Sequence, residues 1–313
     1  MAILVVADFE PTEWAHWKEH LERSMPQETF ACDRRLLSVG DIDVALVANP
    51  PRGGLTALPG LRLIHSLWAG VDGLLSDPSV PAHVPLVRMV DPEMAQTMAQ
   101  TALWSVLGVH RQFFDYAAAQ RQARWSPQDA RGAAQDWTIA VLGLGQMGMT
   151  VAADLAAHGY RVLGWRRQST APAPRLELHT GPAGLDAVLR QADVVINLLP
   201  LTAQTRHLFC KPLLSTMKKG AAFANFGRGS QVVEADLLSA LDEGHLSRAI
   251  LDVFETEPLP AGHRFWSHPA VTVLPHVAAQ THPRSASQVV ARNIATWRAG
   301  GAVADLVDRA RGY

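Results

Sequence analysis

Short apolar runs alternate with amphipathic stretches along the whole chain. In the first hundred residues, runs at Ile3–Ala7, Val44–Ala48 and Leu61–His65 predict strands, punctuated by turn chemistry such as Pro50-Pro51 and Gly53-Gly54. A second series, Ile139–Leu142, Arg161–Trp165, Val194–Leu198, Ala221–Asn225, Ala249–Leu251 and Val271–Leu274, alternates with helical patterns near 147–158, 183–191, 234–243 and 284–299. Strands alternating with helices predict parallel sheets flanked by helices, so both halves read as doubly wound α/β structure. Between the two series, 92–122 reads as one long helix, rich in Ala, Met, Gln and Leu, with Pro92 in its first turn and no proline inside. Ala123 to Asp136 reads as a loop, as does the Ala/Pro segment Thr170–Pro174, and no tandem repeat is present.

Composition narrows the class. The 313 residues are enough for two domains, 48% are apolar and 18% charged, and the formal net charge is −1. No global field favours nucleic acid or a membrane surface. No apolar run approaches the ~20 residues that span a bilayer. The chain opens directly on a strand-like run without a basic leader, which argues against a signal peptide. Cys32 and Cys210 lie far apart and show no metal or redox spacing, as expected of a cytoplasmic protein. The 13 histidines include no H-E-x-x-H pattern, and no metal is expected.

Chemistry enters at Ile139–Ala152, where an apolar run ends in Gly143, Gly145 and Gly148 and a helix pattern follows. This is the G-x-G-x-x-G order in strand–turn–helix context. Gly143 makes the tight turn, Gly145 lets backbone approach a pyrophosphate, and Gly148 lets helix pack on strand. The helix N-terminus then offers free N–H groups to the anion. After the next strand, where an NAD site places an acid for the ribose, the chain reads Trp165-Arg166-Arg167-Gln168. Two guanidiniums there suit the 2′-phosphate of NADPH (NADP+), with NADH the weaker cofactor; the alternative is a pair of solvated surface charges.

Three further segments each follow a predicted strand: Asn225-Phe-Gly-Arg228, Asp252–Pro260 with Glu257, and Leu274-Pro-His276. Arg is a fixed cation with a planar fork, suited to hold a carboxylate and polarise a carbonyl oxygen. His can give a proton to a developing alkoxide, and a carboxylate beside it raises its pKa and orients it. An Arg, a Glu and a His are the groups that reduction of a 2-keto acid requires.

These segments, together with Ser66-Leu-Trp68-Ala-Gly-Val-Asp72, Asn197-Leu-Leu-Pro-Leu-Thr202 and Pro275-His276-Val-Ala-Ala279, resemble the D-isomer-specific 2-hydroxyacid dehydrogenase family over essentially the whole chain. The resemblance is strongest to its bacterial branch of glyoxylate and hydroxypyruvate reductases. It implies two Rossmann-like or flavodoxin-like parallel-sheet domains with a cleft between. Residues 101–278 would bind the dinucleotide, and 1–100 with 279–313 the substrate. By resemblance Arg228 binds and polarises the substrate, His276 is the acid in reduction, and Glu257 pairs with His276. Asp252 contacts the nicotinamide amide, and the cofactor also meets Gly143, Gly145, Gln146, Met147, Gly148, Trp165, Arg166, Arg167, Leu199, Pro200 and Thr202. The N–H groups of Ala69 and Gly70 hold the substrate carboxylate, and Trp68 walls the pocket.

The resemblance further implies a homodimer through the long helix and the loop after it, with Trp125 directed toward the neighbouring subunit's site. It implies a small 2-oxo acid as the substrate. Phenylpyruvate-sized acids, or a nucleotide-sensing protein of the same fold, are the alternatives. Trp68 as plain core, Asp72 as a turn residue and Thr202 as a turn cap also stay open, as does a pocket role for Trp266–His268. The chain departs from the usual pattern at Phe226-Gly227, where a small residue followed by Ala is common, and in lacking the acid after the second strand.

Overall fold

The computed structural model describes residues 2–167 and 176–313; the loop expected at Thr170–Pro174 lies outside them. The chain divides into two units, Met1–Met94 with Thr281–Tyr313, and Ala95–Gln280.

Unit 1 contains β1 (Ala2–Ala7), α1 (Pro11–Ser24), β2 (Thr29–Ala31), β3 (Ile42–Ala48), β4 (Leu63–Ser66), α2 (Asp72–Ser76) and β5 (Leu86–Val87). Its five strands are all parallel in the order β2-β1-β3-β4-β5. That is a flavodoxin-like order, in which β1 and β3 flank the point where the winding reverses. β2 and β5 have three and two residues, too short to leave a periodic signal in the sequence.

The chain crosses into unit 2 along α3 (Pro92–His110) and continues through α4 (Phe113–Arg121), β6 (Thr138–Leu142), α5 (Gln146–Ala157), β7 (Arg161–Arg166) and β8 (Glu177–Thr180). Then come α6 (Gly181–Gln191), β9 (Val194–Asn197), α7 (Lys211–Thr216), β10 (Ala222–Asn225), α8 (Glu234–Asp242), β11 (Arg248–Leu251) and β12 (Val271–Val273). The seven strands are parallel in the order β12-β11-β10-β9-β6-β7-β8. Side chains of one strand alternate between two cores. Ile139 and Val141 pack with Val151 and Leu155, while Ala140 and Leu142 pack with Leu185 and Val188. Burial on both faces is why the strands read as unbroken apolar runs.

The single helix expected over 92–122 is two helices. Gln112 takes a left-handed conformation, φ 59°, between α3 and α4. The break folds Phe114 back over Gly108, where a Cβ would lie 2.3 Å from the ring. Phe114 also meets Trp104 edge-on at 5.2 Å and takes the Arg248 guanidinium over its face at 5.0 Å. Gln112 Nε2 donates to Asp129 O at 2.8 Å, so the loop after α4 also holds the break. Tertiary contacts, not a Pro or Gly at the joint, end the helix.

The chain returns to unit 1 with α9 (Pro283–Arg298), which packs on α1. Ala286, Val289, Val290 and Ile294 are buried, and Arg298 pairs with Glu28 and, at 2.9 Å, with Asp43. Asn293 Nδ2 donates to His65 Nε2 at 3.1 Å, and His65 Nδ1 lies 2.8 Å from Ser66 O, so the imidazole is neutral with its proton on Nδ1. Among the described residues, no helix is long and apolar enough to cross a membrane, and no group of three or more His, Cys, Asp or Glu is placed to hold a metal ion.

Candidate active site

Because every strand of unit 2 is parallel, all their carboxyl ends lie on one edge of the sheet. The strand order reverses between β6 and β9, the place where open α/β sheets open a crevice for ligands. The glycine loop follows β6 there. Gly143 has φ +96°, and a Cβ on it would lie 2.6 Å from Leu198 O, so the turn after β6 closes directly on the segment after β9. A Cβ on Gly148 would lie 2.0 Å from Gly143 O, so α5 presses against the turn. Gly145 caps α5 and has nothing within 4 Å of its Cβ position. Gln146 and Met147 open the helix, where backbone N–H groups have no intrahelical acceptor. A tight turn, open space and free donors at a helix N-terminus fit a pyrophosphate.

Trp165 is buried in β7 and donates from Nε1 to Gly181 O at 2.8 Å. Arg166 ends the strand half-buried, and Arg167 follows exposed, with Nη1 3.5 Å from Gln204 Oε1. After β9, the Thr205 hydroxyl takes the Thr202 N–H at 2.8 Å and donates to Pro200 O at 2.7 Å, so Thr202 opens a hydrogen-bonded turn.

Arg228, Glu257 and His276 follow β10, β11 and β12, three adjacent strands. Their loops are drawn together by contacts that tolerate no extra atom. A Cβ on Gly229 would lie 1.8 Å from Phe254 C, which seats the Arg228 loop on the Phe254–Glu255 peptide. Asp252 is buried; its carboxylate accepts from Val277 N at 2.7 Å and Ala278 N at 3.1 Å, and its carbonyl accepts from His276 N at 2.9 Å. His276 is thereby held at φ 55°. Its Nδ1 lies 2.7 Å from Glu257 Oε2, and Glu257 Oε1 accepts from Phe254 N at 2.9 Å. The hydrogen bond to Glu257 raises the His276 pKa, against partial burial and the charge of Arg228, which lower it. Burial pushes Glu257 up, but the bonds from His276 and Phe254 N outweigh it and leave the carboxyl below its ordinary value. Burial raises Asp252, and its backbone donors oppose the rise.

Sequence reasoning missed a buried amide network under this edge. Asn197, Asn225 and Gln231 are 0%, 1% and 0% exposed. Asn197 Nδ2 donates to Asn225 Oδ1 at 2.8 Å and to Gln231 Oε1 at 2.7 Å. The available signal was polar amides closing the apolar runs of β9 and β10. The Trp266–His268 segment is engaged elsewhere, with Trp266 Nε1 donating to Pro260 O at 3.0 Å and His268 Nε2 lying 3.2 Å from Asp242 Oδ1.

Trp68, Ala69 and Gly70 belong to unit 1, after β4. Trp68 is half-buried, and its ring meets Phe9 and Trp17 edge-on, each at 6.2 Å. Phe9 in turn stacks on Trp17 at 5.7 Å, a partner not foreseen from sequence. Among the described residues, the N–H groups of Ala69 and Gly70 meet no acceptor. Asp72 begins α2.

A fold of two parallel-sheet units, with a dinucleotide turn and an Arg–Glu–His edge, defines a class, and the comparisons agree. The chain belongs to the D-isomer specific 2-hydroxyacid dehydrogenase family, whose NAD-binding-domain model matches residues 103–278. It is 39% identical over 305 residues to glyoxylate/hydroxypyruvate reductase A of Serratia proteamaculans, covering 95% of this chain and 96% of that one. It is 40% identical over 309 residues to the protein of the same name from Salmonella paratyphi B, covering 96% of each. Among solved structures, a D-isomer specific 2-hydroxyacid dehydrogenase from Xanthobacter autotrophicus in complex with NADPH and MES superposes with a TM-score of 0.94 at 35% identity, over 100% of this chain and 99% of that one. The NADPH-dependent glyoxylate/hydroxypyruvate reductase of Sinorhizobium meliloti in complex with NADP and sulfate gives 0.91 at 34%, with the same coverage.

Proposed function

We propose that this enzyme uses NADPH to reduce small 2-oxo acids, glyoxylate and hydroxypyruvate foremost, to glycolate and D-glycerate. The observation that carries the reading is the 2.7 Å His276–Glu257 pair, on the same sheet edge as Arg228 and the glycine turn. Support comes from the names of the reductase relatives and from the NADPH- and NADP-bound neighbours.

The glycine turn and the start of α5 would hold the pyrophosphate, with Leu199, Pro200, Thr202 and Asp252 along the rest of the nucleotide. Arg166 and Arg167 would hold the 2′-phosphate, which NADH lacks. NADPH, when bound, supplies the hydride. Arg228 holds the substrate and draws electron density toward the carbonyl oxygen. As the C=O π bond opens, that oxygen takes the proton from His276 Nε2, the nitrogen turned away from Glu257. Glu257 keeps the imidazole protonated and in register. To unit 1 we assign the substrate carboxylate, received by the N–H groups of Ala69 and Gly70, with Trp68 as an aromatic wall.

We also propose a homodimer through α3, α4 and the following loop. Trp104, Phe113, Tyr116 and Trp125 there are all exposed, Trp125 at 98%. Light scattering at the mass of two chains, falling to one for Trp125→Ser with Phe113→Ser, is the check. The unpaired Cys32 and Cys210 support a reducing, cytoplasmic setting.

The deciding experiment follows NADPH and NADH oxidation with glyoxylate, hydroxypyruvate and phenylpyruvate as acceptors. NADPH-dependent turnover of the two small acids is expected, and Arg166→Ala with Arg167→Ala should raise KM for NADPH far more than for NADH. Turnover with phenylpyruvate alone would move the substrate, and none with any acceptor would leave a nucleotide-sensing protein.

A further inference from the structure

Gln231 lies three residues beyond Arg228, inside the sheet edge, and every hydrogen-bonding position of its amide is used. Oε1 accepts from Arg228 N at 2.9 Å and from Asn197 Nδ2 at 2.7 Å. Nε2 donates to Leu199 O at 3.1 Å and to Pro200 O at 3.0 Å. One end of the amide therefore holds the backbone of the Arg that faces the substrate. The other end holds two carbonyls of the segment assigned to the cofactor. Asn197 and Asn225 complete the frame: Asn197 Oδ1 accepts from Leu199 N at 3.2 Å, Asn225 Oδ1 from Gly227 N at 3.1 Å, and Asn225 Nδ2 donates to Arg228 O at 3.1 Å.

Building on the function proposed above, we infer that Gln231 is a positioning residue for the reduction, fixing the cofactor segment Leu199–Pro200 and Arg228 to one another through a single side chain. Only an amide can do this. A carboxylate has the acceptors but no donors for the two carbonyls, and an aliphatic chain has neither. Burial removes the water that would otherwise replace a lost partner, so a broken bond moves backbone.

The departure at Gly227 now has a physical account. A Cβ at 227 would lie 2.4 Å from Gln231 Oε1, 2.8 Å from Asn197 Nδ2 and 3.0 Å from Leu199 O. A methyl at 227 has no room beside the two amides and the Leu199 carbonyl. Gly227 and Gln231 are thus coupled, and either can be changed to test the other.

The test uses full-length Gln231→Met, Gln231→Glu and Gly227→Ala. It reads kcat and KM for glyoxylate at saturating NADPH, NADPH affinity by fluorescence titration, the pH profile of kcat/KM, and thermal unfolding. Misplacement of a positioning group by about 1 Å costs up to ~100-fold in rate. For Gln231→Met, KM for glyoxylate should rise about tenfold, kcat should fall at least about tenfold, and NADPH should bind more weakly. The alkaline limb should move to higher pH, because Arg228 holds the His276 pKa down and a displaced guanidinium releases it.

Gln231→Glu keeps the acceptors on the Arg228 side and loses both donors to the loop, so NADPH affinity should fall more than KM for glyoxylate rises. Gly227→Ala should move KM and the limb in the same direction as Gln231→Met, and it carries the test if Gln231→Met does not fold. A lowered unfolding temperature with unchanged KM, NADPH affinity and pH limb would reduce Gln231 to a structural clamp and overturn the inference. Absence of keto-acid turnover in the unaltered enzyme would instead overturn the proposed function, and the NADPH split between Gln231→Glu and the unaltered chain would still decide whether Gln231 holds the loop.

Discussion

His276 occupies left-handed backbone, φ 55°, a conformation that costs a non-glycine residue on the order of 1 kcal/mol. The surrounding groups over-determine it. His276 N, Val277 N and Ala278 N all donate to Asp252, and Glu257 takes the ring at Nδ1. With Nδ1 bound to Glu257, the geometry of the imidazole leaves Nε2 on the side away from it. The pH dependence follows from the raised His276 pKa. In the proposed mechanism reduction consumes the protonated imidazole, so the rate should be full below that pKa and fall as pH rises through it. The limb should lie above the ordinary histidine value of about 6.5. Glu257→Gln removes the largest cause of the rise, so the limb should move to lower pH and the rate at pH 7.5 should fall about tenfold or more. A Glu257→Gln profile superimposable on that of the unaltered enzyme would dismiss the pair as a proton-holding device.

At the scale of elements, the site is made by loops pressed together until no side chain fits between them. Gly229→Ala sets a methyl 1.8 Å from Phe254 C, a backbone atom that cannot swing aside. It should lower kcat/KM by about 100-fold or more while far-ultraviolet circular dichroism keeps its α/β shape; near-normal activity would mean that the β10 and β11 loops tolerate separation. The same elements show what a sequence reveals. Strands β6, β7, β9, β10 and β11 were legible because each has an apolar interior buried on both faces. The glycine turn was legible because its spacing is a local motif, and Gly143 and Gly148 each answer a local steric demand. Arg228, Glu257 and His276 stood out as candidates, since each lies in the loop after a predicted strand. The helix break at Gln112 was not, because it depends on Phe114 finding Gly108, Trp104 and Arg248. Nor was the Gln231 network, whose four partners come from two segments distant in sequence, Asn197–Pro200 and Arg228. Asn197 and Asn225 stood in quoted motifs, but no local pattern says that an amide at a strand end is buried with its neighbour's.

On the scale of the whole molecule, His65 links the unit 1 sheet to α9 and makes stability depend on pH. Burial pushes its pKa down to about 4, from an ordinary 6.5. In the unfolded chain the imidazole takes a proton as pH falls below 6.5, while the folded protein resists until about 4. Its contribution is thus fully present above 6.5 and is lost progressively across that window, on the order of 3 kcal/mol in all. Urea unfolding at pH 7 and pH 4.5 should show the loss, and His65→Gln should flatten it. Equal slopes for the two proteins would remove His65 from the account. The bond from Asn293 to His65 also ties the end of the chain to its beginning. Unit 2 is inserted between Met94 and Thr281. During vectorial synthesis, β1 to β5 therefore leave the ribosome long before α9, which brings Val289, Val290 and Ile294 to the unit 1 core. The first ninety-odd residues thus emerge without the helix that completes their core, and the whole inserted unit is made before it arrives.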